Sequence, residues 1–413
     1  MKRTAIMTGA RGGVDCQVYP VSTEYKPLKD VRKELRIKWY RCPIERETLQ
    51  ELTQRNDLRG LFQACGHIGL WLCTGTLTFI AFLNAGSTGS VGHWALVLLG
   101  LFFHGTVGTF MRGVACHELG HGTVFKTKWL NKFFLRVYAI CSWWNFHDYA
   151  MSHTFHHLYT LYPVGDREVV LPGHPSLRIL YLLQLFTFNI FGGPESTGVI
   201  PTMRSILMTC FGRYQEVSTL GSGEWLVGLY EDQPKAKARA VRWMRLVVLI
   251  HLIVAVAAIA SGYWIIAVLF SCHIFFGNWL KYFVGRPMHC GLRDNVPDFR
   301  LCVRTIKLDP ISEFLYWHMN WHTEHHMFAA VPCYNLGALH EHVKDDMPIP
   351  RSLTGAWREM RDTWHRQQDD PDYEFTTPIP EGAHPAVIVE SGSTADADAV
   401  VASIGGLAPK DLD

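Results

Sequence analysis

The segment LVVLIHLIVAVAAIASGYWIIAVLFSCHIFFGNWLKYFV at residues 246–284 decides the fold. It contains two apolar runs separated only by Ser261-Gly262. Each run is near the length of about 20 residues that a helix needs to cross a bilayer. A buried helix of a large soluble protein would explain one such run, but two adjacent runs favour a membrane hairpin. We therefore predict spans at about 246–262 and 263–284.

Two more apolar runs occur nearer the N-terminus, at residues 61–84 and 94–112. Lys and Arg are frequent before residue 60, in 113–245 and after 285, whereas the short connection inside each hairpin has none. The positive-inside rule then places both termini in the cytosol. The sequence thus predicts an all-α integral membrane protein with four transmembrane helices in two hairpins and a cytosolic helical cap.

The rest of the chain predicts the domain organisation. A cytosolic N-terminal segment, 1–59, precedes the membrane domain at 60–345, and a cytosolic C-terminal segment follows at 346–375. Residues 376–413 are rich in Pro, Gly, Ala, Ser and Asp and poor in aromatic residues, which predicts a disordered tail. The net charge is only +2, and we find no nucleic-acid signature. The eleven cysteines form no C-x-x-C pair, so neither a disulfide framework nor a metal–thiolate site is expected.

Eight of the 21 histidines lie in three short clusters that are far apart in sequence. The clusters are His117-Glu-Leu-Gly-His121, His153-Thr-Phe-His156-His157 and His322-Thr-Glu-His325-His326. Spacings of three and four residues place imidazoles on one face of a helix. Imidazole is a common metal ligand, and eight of them exceed what one ion can take. We therefore predict a site for two metal ions between converging helices.

Other histidines stand alone in or beside apolar runs, and we interpret them as hydrogen-bonded structural residues. These are His67, His93, His104, His251 and His273. Glu118 and Glu324 lie inside clusters, but their helical positions point away from the histidine face, so we do not expect them to act as bases. Any of Asp148, Asp166 and Asp309 could accept a hydrogen bond from the distal nitrogen of a ligand, as metal-bound histidines usually require.

The number of candidate ligands bears on the identity of the metal. Catalytic zinc usually takes three protein ligands and leaves one position open. Eight or nine histidines suit two ions with four or five ligands each. Iron is the usual choice when a hydrocarbon C–H bond must be broken. Two iron ions are therefore the expected metals if the reaction breaks such a bond.

With the clusters and the four spans in place, the chain resembles the membrane-bound fatty acid desaturase superfamily over about residues 60 to 345. The most specific matches are Met288-His289-Cys290-Gly291-Leu292, Val303-Arg304-Thr305, the run from Tyr316 to His326, Val331-Pro332-Cys333-Tyr334-Asn335-Leu336 and Leu339-His340. The resemblance implies a di-iron centre in a cytosolic cap. It also implies that dioxygen is a co-substrate and that two electrons come from outside.

The resemblance also implies a set of ligands. They are His117, His121, His153, His156, His157, His289, His322, His325 and His326. His289 matches through its His-x-Gly-Leu surroundings, although it could instead cap the fourth span at the interface. Asn320 matches a motif asparagine that would bind metal directly, through water, or only by orienting a ligand. His318 lies four residues before His322 and could contact the ligands from outside.

The chain departs from the family pattern in ways that concern the electron supply. The third cluster begins with His322 rather than glutamine, and no haem-binding His-Pro-Gly-Gly is present. These two features disfavour members that carry their own cytochrome domain. Met288 and His318 stand where relatives often have an acidic residue and Asn, a departure that bears on the ligand set instead. We expect a separate electron donor of the cytochrome or ferredoxin type.

Three other functions remain open at this stage. A hydroxylase or oxygenase acting on a specialised lipophilic metabolite would use the same di-iron site. A membrane zinc hydrolase usually has seven crossings and about three metal histidines, and a metal transporter would place its histidines within the spans.

The expected substrate is an acyl chain or similar lipid. The expected location is a multi-pass position in the endoplasmic reticulum of a eukaryote or the inner membrane of a bacterium.

Overall fold

The computed structural model describes residues 27–388 except 170, 172, 194–197, 219 and 222, and this part of the chain is mostly helical. The α-helices are α1 (Leu28–Glu34), α2 (Arg46–Leu52), α3 (Asp57–Thr88), α4 (Val91–Gly108), α5 (Ala115–His121), α6 (Lys128–Cys141), α7 (Phe146–Tyr159), α8 (Ile179–Phe186), α9 (Val199–Cys210), α10 (Gly223–Tyr230), α11 (Pro234–Ala260), α12 (Ile265–Ala267), α13 (Trp279–Gly285), α14 (Phe299–Cys302), α15 (Pro310–Leu315), α16 (His322–Met327), α17 (Leu336–Val343) and α18 (Leu353–Asp369). A π-helical segment covers Val268–Cys272, and 3₁₀ turns lie at Thr109–Met111, Tyr214–Glu216, His273–Phe275, Arg286–Met288, Cys333–Asn335 and Lys344–Asp346. Strands β1 (Ile306–Lys307) and β2 (Arg351–Ser352) form a parallel pair, with Ile306 opposite Arg351.

Helices α3 and α4 are joined by a short turn and pack against each other. The Asn56 side chain caps α3 by accepting hydrogen bonds from two backbone N–H groups of the first turn. The helix ends at Gly89, whose φ of 64° is the left-handed conformation that glycine adopts most readily at a helix end. A Cβ at Gly100 would lie 2.4 Å from Thr78 Oγ1, so glycine allows the two helices to approach closely.

Among the described residues, three helical segments are long and apolar enough to cross a membrane. They are Asp57–Thr88, Val91–His121 and Pro234–Ala260. They contain the predicted spans 61–84 and 94–112 and most of the span predicted at 246–262. The expectation of a mostly helical protein with membrane-spanning helices is confirmed to this extent, whereas the hairpin topology and its orientation stay predictions.

The apolar run at 263–284, predicted as the fourth span, is not one continuous helix. It is helical over Ile265–Phe275, the chain becomes extended at Phe276, and α13 resumes the helix at Trp279. Hydropathy alone could not reveal this break, because the residues on both sides of it are apolar. The structure therefore corrects the predicted single helix to two shorter pieces.

A neighbouring segment satisfies the backbone groups that the break leaves unpaired. Phe188 forms an antiparallel β-bridge with Phe276, and the Asn189 backbone N–H donates to the Phe275 carbonyl at 2.8 Å. The Thr106 hydroxyl donates to the Gly277 carbonyl at 2.8 Å. Non-helical backbone is tolerated within a membrane where it is buried in protein and hydrogen-bonded, and the hydrogen bonds at this break meet that second condition.

The C-terminal region also differs from the prediction. Residues 376–388, assigned to the disordered tail, include a stretch held by the buried Arg300, whose guanidinium donates to the carbonyls of His384 and Pro385, both at 3.1 Å. The Val387 N–H donates to the Asp298 carboxylate at 3.1 Å. The predicted boundary at 376 is therefore too early. Residues 1–26 and 389–413 lie outside the described part of the chain.

Candidate metal centre

Three short helices bring the histidine clusters together in the protein core. Helix α5 carries the first cluster, α7 the second and α16 the third. Gly113 and Gly122, with φ of 71° and 67°, turn the chain before and after α5. All eight cluster histidines are buried: His117, His121, His153, His156, His157, His322, His325 and His326.

The nine predicted ligands form two groups of buried imidazoles. Each histidine offers one ring nitrogen as a potential ligand. Within a group, all of these nitrogens lie within 4.8 Å of one another. One group comprises His117, His121, His153, His157 and His325, and the other comprises His156, His289, His322 and His326. The groups are adjacent, since the rings of His157 and His326 have centroids 4.5 Å apart. We call them the five-histidine and the four-histidine group.

Hydrogen bonds fix the proton positions in the four-histidine group. His289 Nδ1 lies 3.1 Å from the Cys302 carbonyl, which can only accept, so this nitrogen carries the proton and Nε2 has a free lone pair. The Thr160 hydroxyl donates to the His156 carbonyl at 2.6 Å and therefore accepts from His326 Nδ1 at 3.2 Å. Because His326 Nδ1 carries the proton, His326 Nε2 also has a free lone pair.

These lone pairs converge on a third ring. His322 Nε2 lies 3.1 Å from His289 Nε2 and 3.2 Å from His326 Nε2. A neutral His322 could donate a proton to only one of them, so the cluster is poorly satisfied by protein atoms alone. A metal ion bound by all of these nitrogens would resolve the conflict. The donor set therefore fits a transition-metal ion that accepts imidazole nitrogen.

The five-histidine group shows the same arrangement. His117 Nδ1 lies 2.8 Å from Glu118 Oε1, which leaves Nε2 to face His121 Nε2 at 3.3 Å. His325 Nε2 faces His157 Nε2, also at 3.3 Å. The group offers nitrogen lone pairs at short range in a buried position, which again fits a metal ion.

Two carboxylates after α7 orient the second cluster. Asp166 Oδ2 lies 2.8 Å from His156 Nδ1 and Glu168 Oε1 lies 3.0 Å from His153 Nδ1. Burial alone would lower the pKa of His156, but the Asp166 carboxylate raises it above its usual value. Burial raises the pKa of Glu168 to about 7, against the opposing effects of His156 and of a hydrogen bond from Ser152. Sequence reasoning included Asp166 among three candidates and missed Glu168, although it follows Asp166 by only two residues.

The other acidic candidates have different partners. Asp148 accepts hydrogen bonds from the hydroxyls of Tyr214 at 2.9 Å and Tyr230 at 2.7 Å, and burial raises its pKa to about 7 despite these bonds. Asp309 caps α15. Of the three aspartates considered from the sequence, only Asp166 is hydrogen-bonded to a histidine of the two groups.

The two glutamates within the clusters contact the outer side of the site. Glu118 Oε1 accepts a hydrogen bond from His117 Nδ1. Glu324 Oε1 lies 2.5 Å from His340 Nδ1, and Glu324 Oε2 accepts from the Thr305 hydroxyl at 2.5 Å. Glu324 therefore ties α16 to α17 and to the β1 segment and does not point at the imidazole groups.

Asn320 and His318 lie outside both groups. Asn320 Nδ2 donates to the Ile306 carbonyl at 3.1 Å, and its buried Oδ1 has no protein partner among the described residues. His318 Nδ1 lies 2.9 Å from Glu313 Oε1 and its side chain is one quarter exposed. The direct, water-mediated or orienting role of Asn320 and the indirect role of His318 stay predictions.

The isolated histidines have ordinary hydrogen-bond partners. His67, His104, His251 and His273 contact backbone carbonyls, and His93 contacts the Thr88 hydroxyl. Within the described part of the chain, no group of potential ligands includes any of them.

Comparison with known proteins identifies the family. The family model described as "Fatty acid desaturase" matches residues 92–355, more than half of the 413-residue chain. The chain therefore belongs to the fatty acid desaturase family. A search of curated proteins gives no match.

Proposed function

We propose that this member of the fatty acid desaturase family is a membrane di-iron oxidoreductase. It uses dioxygen and electrons from a separate donor protein to desaturate an acyl chain or a similar lipid. The observation that carries the proposal is the pair of adjacent imidazole groups, one of five buried histidines and one of four. Two iron ions held there would supply the redox chemistry needed to remove hydrogen from an unactivated C–H bond.

The protein's own part in this reaction is to hold and shield the ligands. Asp166, Glu168 and the Cys302 carbonyl each accept a hydrogen bond from the Nδ1–H of a ring and so turn its Nε2 inward. Such outer contacts fix the tautomer and orientation of a metal-bound histidine. All nine rings are buried, which limits the access of bulk water and protects a reactive centre from side reactions.

The membrane setting supports a lipid substrate. Three apolar helices of spanning length in the described part of the chain support insertion in a bilayer, where a lipid substrate would be available. We retain the predicted four crossings, with both termini and the histidine groups in the cytosol. The expected location is the endoplasmic reticulum in a eukaryote or the inner membrane in a bacterium.

Hydroxylation is the alternative outcome at the same site. The positions of the substrate carbons relative to the metal pair decide whether a second hydrogen is removed or oxygen is inserted. Expression with a reductase system followed by lipid mass spectrometry separates the two outcomes. Desaturation gives the loss of two hydrogens, and hydroxylation gives the gain of one oxygen.

Replacement of a single ligand tests the proposed function. His156→Ala should abolish product and lower the iron content of the purified full-length protein, because the four-histidine group loses one of its nitrogens. His342→Ala, at an exposed histidine outside the site, is the matched control and should leave both unchanged. Full activity and full iron content in His156→Ala would refute the assignment.

A further inference from the structure

A basic segment of the N-terminal region lies on the outside of the histidine groups. We define the basic segment as residues 32–42, which contain five Lys or Arg and one Glu. Arg32, Lys33, Arg36 and Lys38 are exposed. The segment therefore presents a positive surface to the aqueous phase.

Hydrogen bonds hold the basic segment against the helices that carry the second and third clusters. Trp39 Nε1 donates to the Leu158 carbonyl at 3.1 Å, and Cys42 N donates to Met327 Sδ at 3.1 Å. Leu158 and Met327 directly follow the last histidines of these clusters. The surface charges of the segment thus have a fixed position relative to the candidate metal centre.

Aromatic contacts lead from the basic segment to the four-histidine group. The rings of Trp39 and Phe299 are stacked, with centroids 4.1 Å apart and an interplanar angle of 9°. The ring centroids of Phe299 and His326 are 5.6 Å apart. Trp39 is 7% exposed and is preceded by the exposed Lys38. A continuous series of ring contacts therefore joins the positive surface to a predicted metal ligand.

We propose that the basic segment is the docking surface for an acidic one-electron carrier protein and that electrons enter the four-histidine group past Trp39 and Phe299. The inference rests on the proposed function and specifies the partner's binding site. A positive patch attracts an acidic carrier and speeds its encounter. Redox partners generally form small, transient interfaces, which a segment of this size suits.

The electron balance requires two encounters for each turnover. Two reduced carriers each give up one electron and leave oxidised. With one dioxygen and two protons, these electrons allow two hydrogens of the substrate to end in two water molecules, and a C=C bond forms. Trp39 and Phe299 are neither oxidised nor reduced overall, because their role is to bring the carrier close to His326.

Binding measurements with charge-reversed variants test the docking surface. The probes are two acidic carriers, a [2Fe–2S] ferredoxin and the soluble domain of a b-type cytochrome, added to the full-length protein in lipid nanodiscs. Arg36→Glu/Lys38→Glu should weaken the binding of at least one probe by about tenfold or more at low salt. The difference should shrink at about 0.5 M salt, where screening is strong.

A second pair of lysines provides the matched control. Lys126 and Lys128 are exposed, have the same spacing and give the same change in net charge when replaced by Glu. Lys126→Glu/Lys128→Glu should leave binding unchanged. Equal losses in both double variants, or no loss in Arg36→Glu/Lys38→Glu with either probe, would overturn the docking surface. Because binding does not need bound iron, this result is independent of whether the protein proves to be a di-iron enzyme.

A pair of substitutions at Trp39 tests the route. Trp39→Leu should slow the reduction of bound iron by the carrier severalfold in anaerobic stopped-flow measurements, while reduction by dithionite with a small mediator stays at the wild-type rate. Trp39→Phe also loses the bond to Leu158 but keeps a ring, so it should remain close to the wild-type rate. Equal slowing in both variants, or none in Trp39→Leu, would refute the aromatic route.

Discussion

Asp166→Asn is expected to weaken iron binding without removing any ligand. In the structure, Asp166 Oδ2 accepts from His156 Nδ1 at 2.8 Å and from the Leu161 N–H at 2.9 Å, while Oδ1 accepts from the Glu168 N–H at 2.9 Å. An amide has only one acceptor oxygen for these three donors. If its NH₂ group faces His156, the imidazole proton moves to Nε2, the nitrogen that should bind the metal.

The size of this effect follows from the role of such carboxylates. Loss of an outer hydrogen-bond partner typically costs 10–100-fold in metal affinity, or about 1.4–2.7 kcal/mol. The assay is an anaerobic competition for iron between the full-length protein and a ferrous chelator. The loss of the more weakly bound iron ion from the protein is measured as a function of chelator concentration. We expect the affinity of one of the two ions to fall within this range.

Asp148→Asn is the control for this prediction. Asp148 lies on α7 beside the second cluster and is similarly buried, but its partners are the hydroxyls of Tyr214 and Tyr230. This substitution should leave iron affinity unchanged even if it reduces stability. Unchanged iron binding in Asp166→Asn, or an equal loss in both variants, would refute the reasoning.

The remaining predictions concern packing, a buried ion pair and metal removal. Gly105→Ala should impair folding, because a Cβ there would lie 2.1 Å from the Phe276 carbonyl oxygen. The control Gly86→Ala should be tolerated, since a Cβ at Gly86 would have no neighbour within 4 Å. Thermal unfolding in detergent compares the stability of the two variants. Arg300→Met should cost about 3–5 kcal/mol and speed proteolysis of the C-terminal region, because it leaves buried carboxylates unpaired. Lys344→Met, at an exposed ion pair, should change Tm little. Removing iron with a chelator should lower the Tm of the wild-type protein, since a ligand of the folded state alone stabilises it.

The sequence predicted which histidines lie together better than it predicted their surroundings. Spacings such as His153, His156 and His157 place rings on one face of a helix, and this local geometry persists in the fold. His289 required the resemblance, because a lone histidine has no periodicity to distinguish it from His67 or His104. Its place in the four-histidine group depends on a hydrogen bond to a carbonyl distant in sequence.

Long-range contacts explain what the sequence could not predict. Glu168 lies in a loop, where no periodicity indicates which way a side chain points. The break at Phe276 depends on a bridge with Phe188, which is far away in sequence. The C-terminal stretch has the composition of a disordered tail, yet it is ordered where Arg300 donates to its carbonyls. Each of these features is decided by a partner outside any local window.

Elemental analysis of the purified full-length protein tests the proposed di-iron centre most directly. After anaerobic incubation with ferrous iron and removal of the excess, the wild-type protein should retain two iron ions per chain with negligible zinc, and His156→Ala should retain fewer. One zinc ion per chain in place of iron, or an iron content that is the same in His156→Ala, would contradict a di-iron site built from the nine histidines.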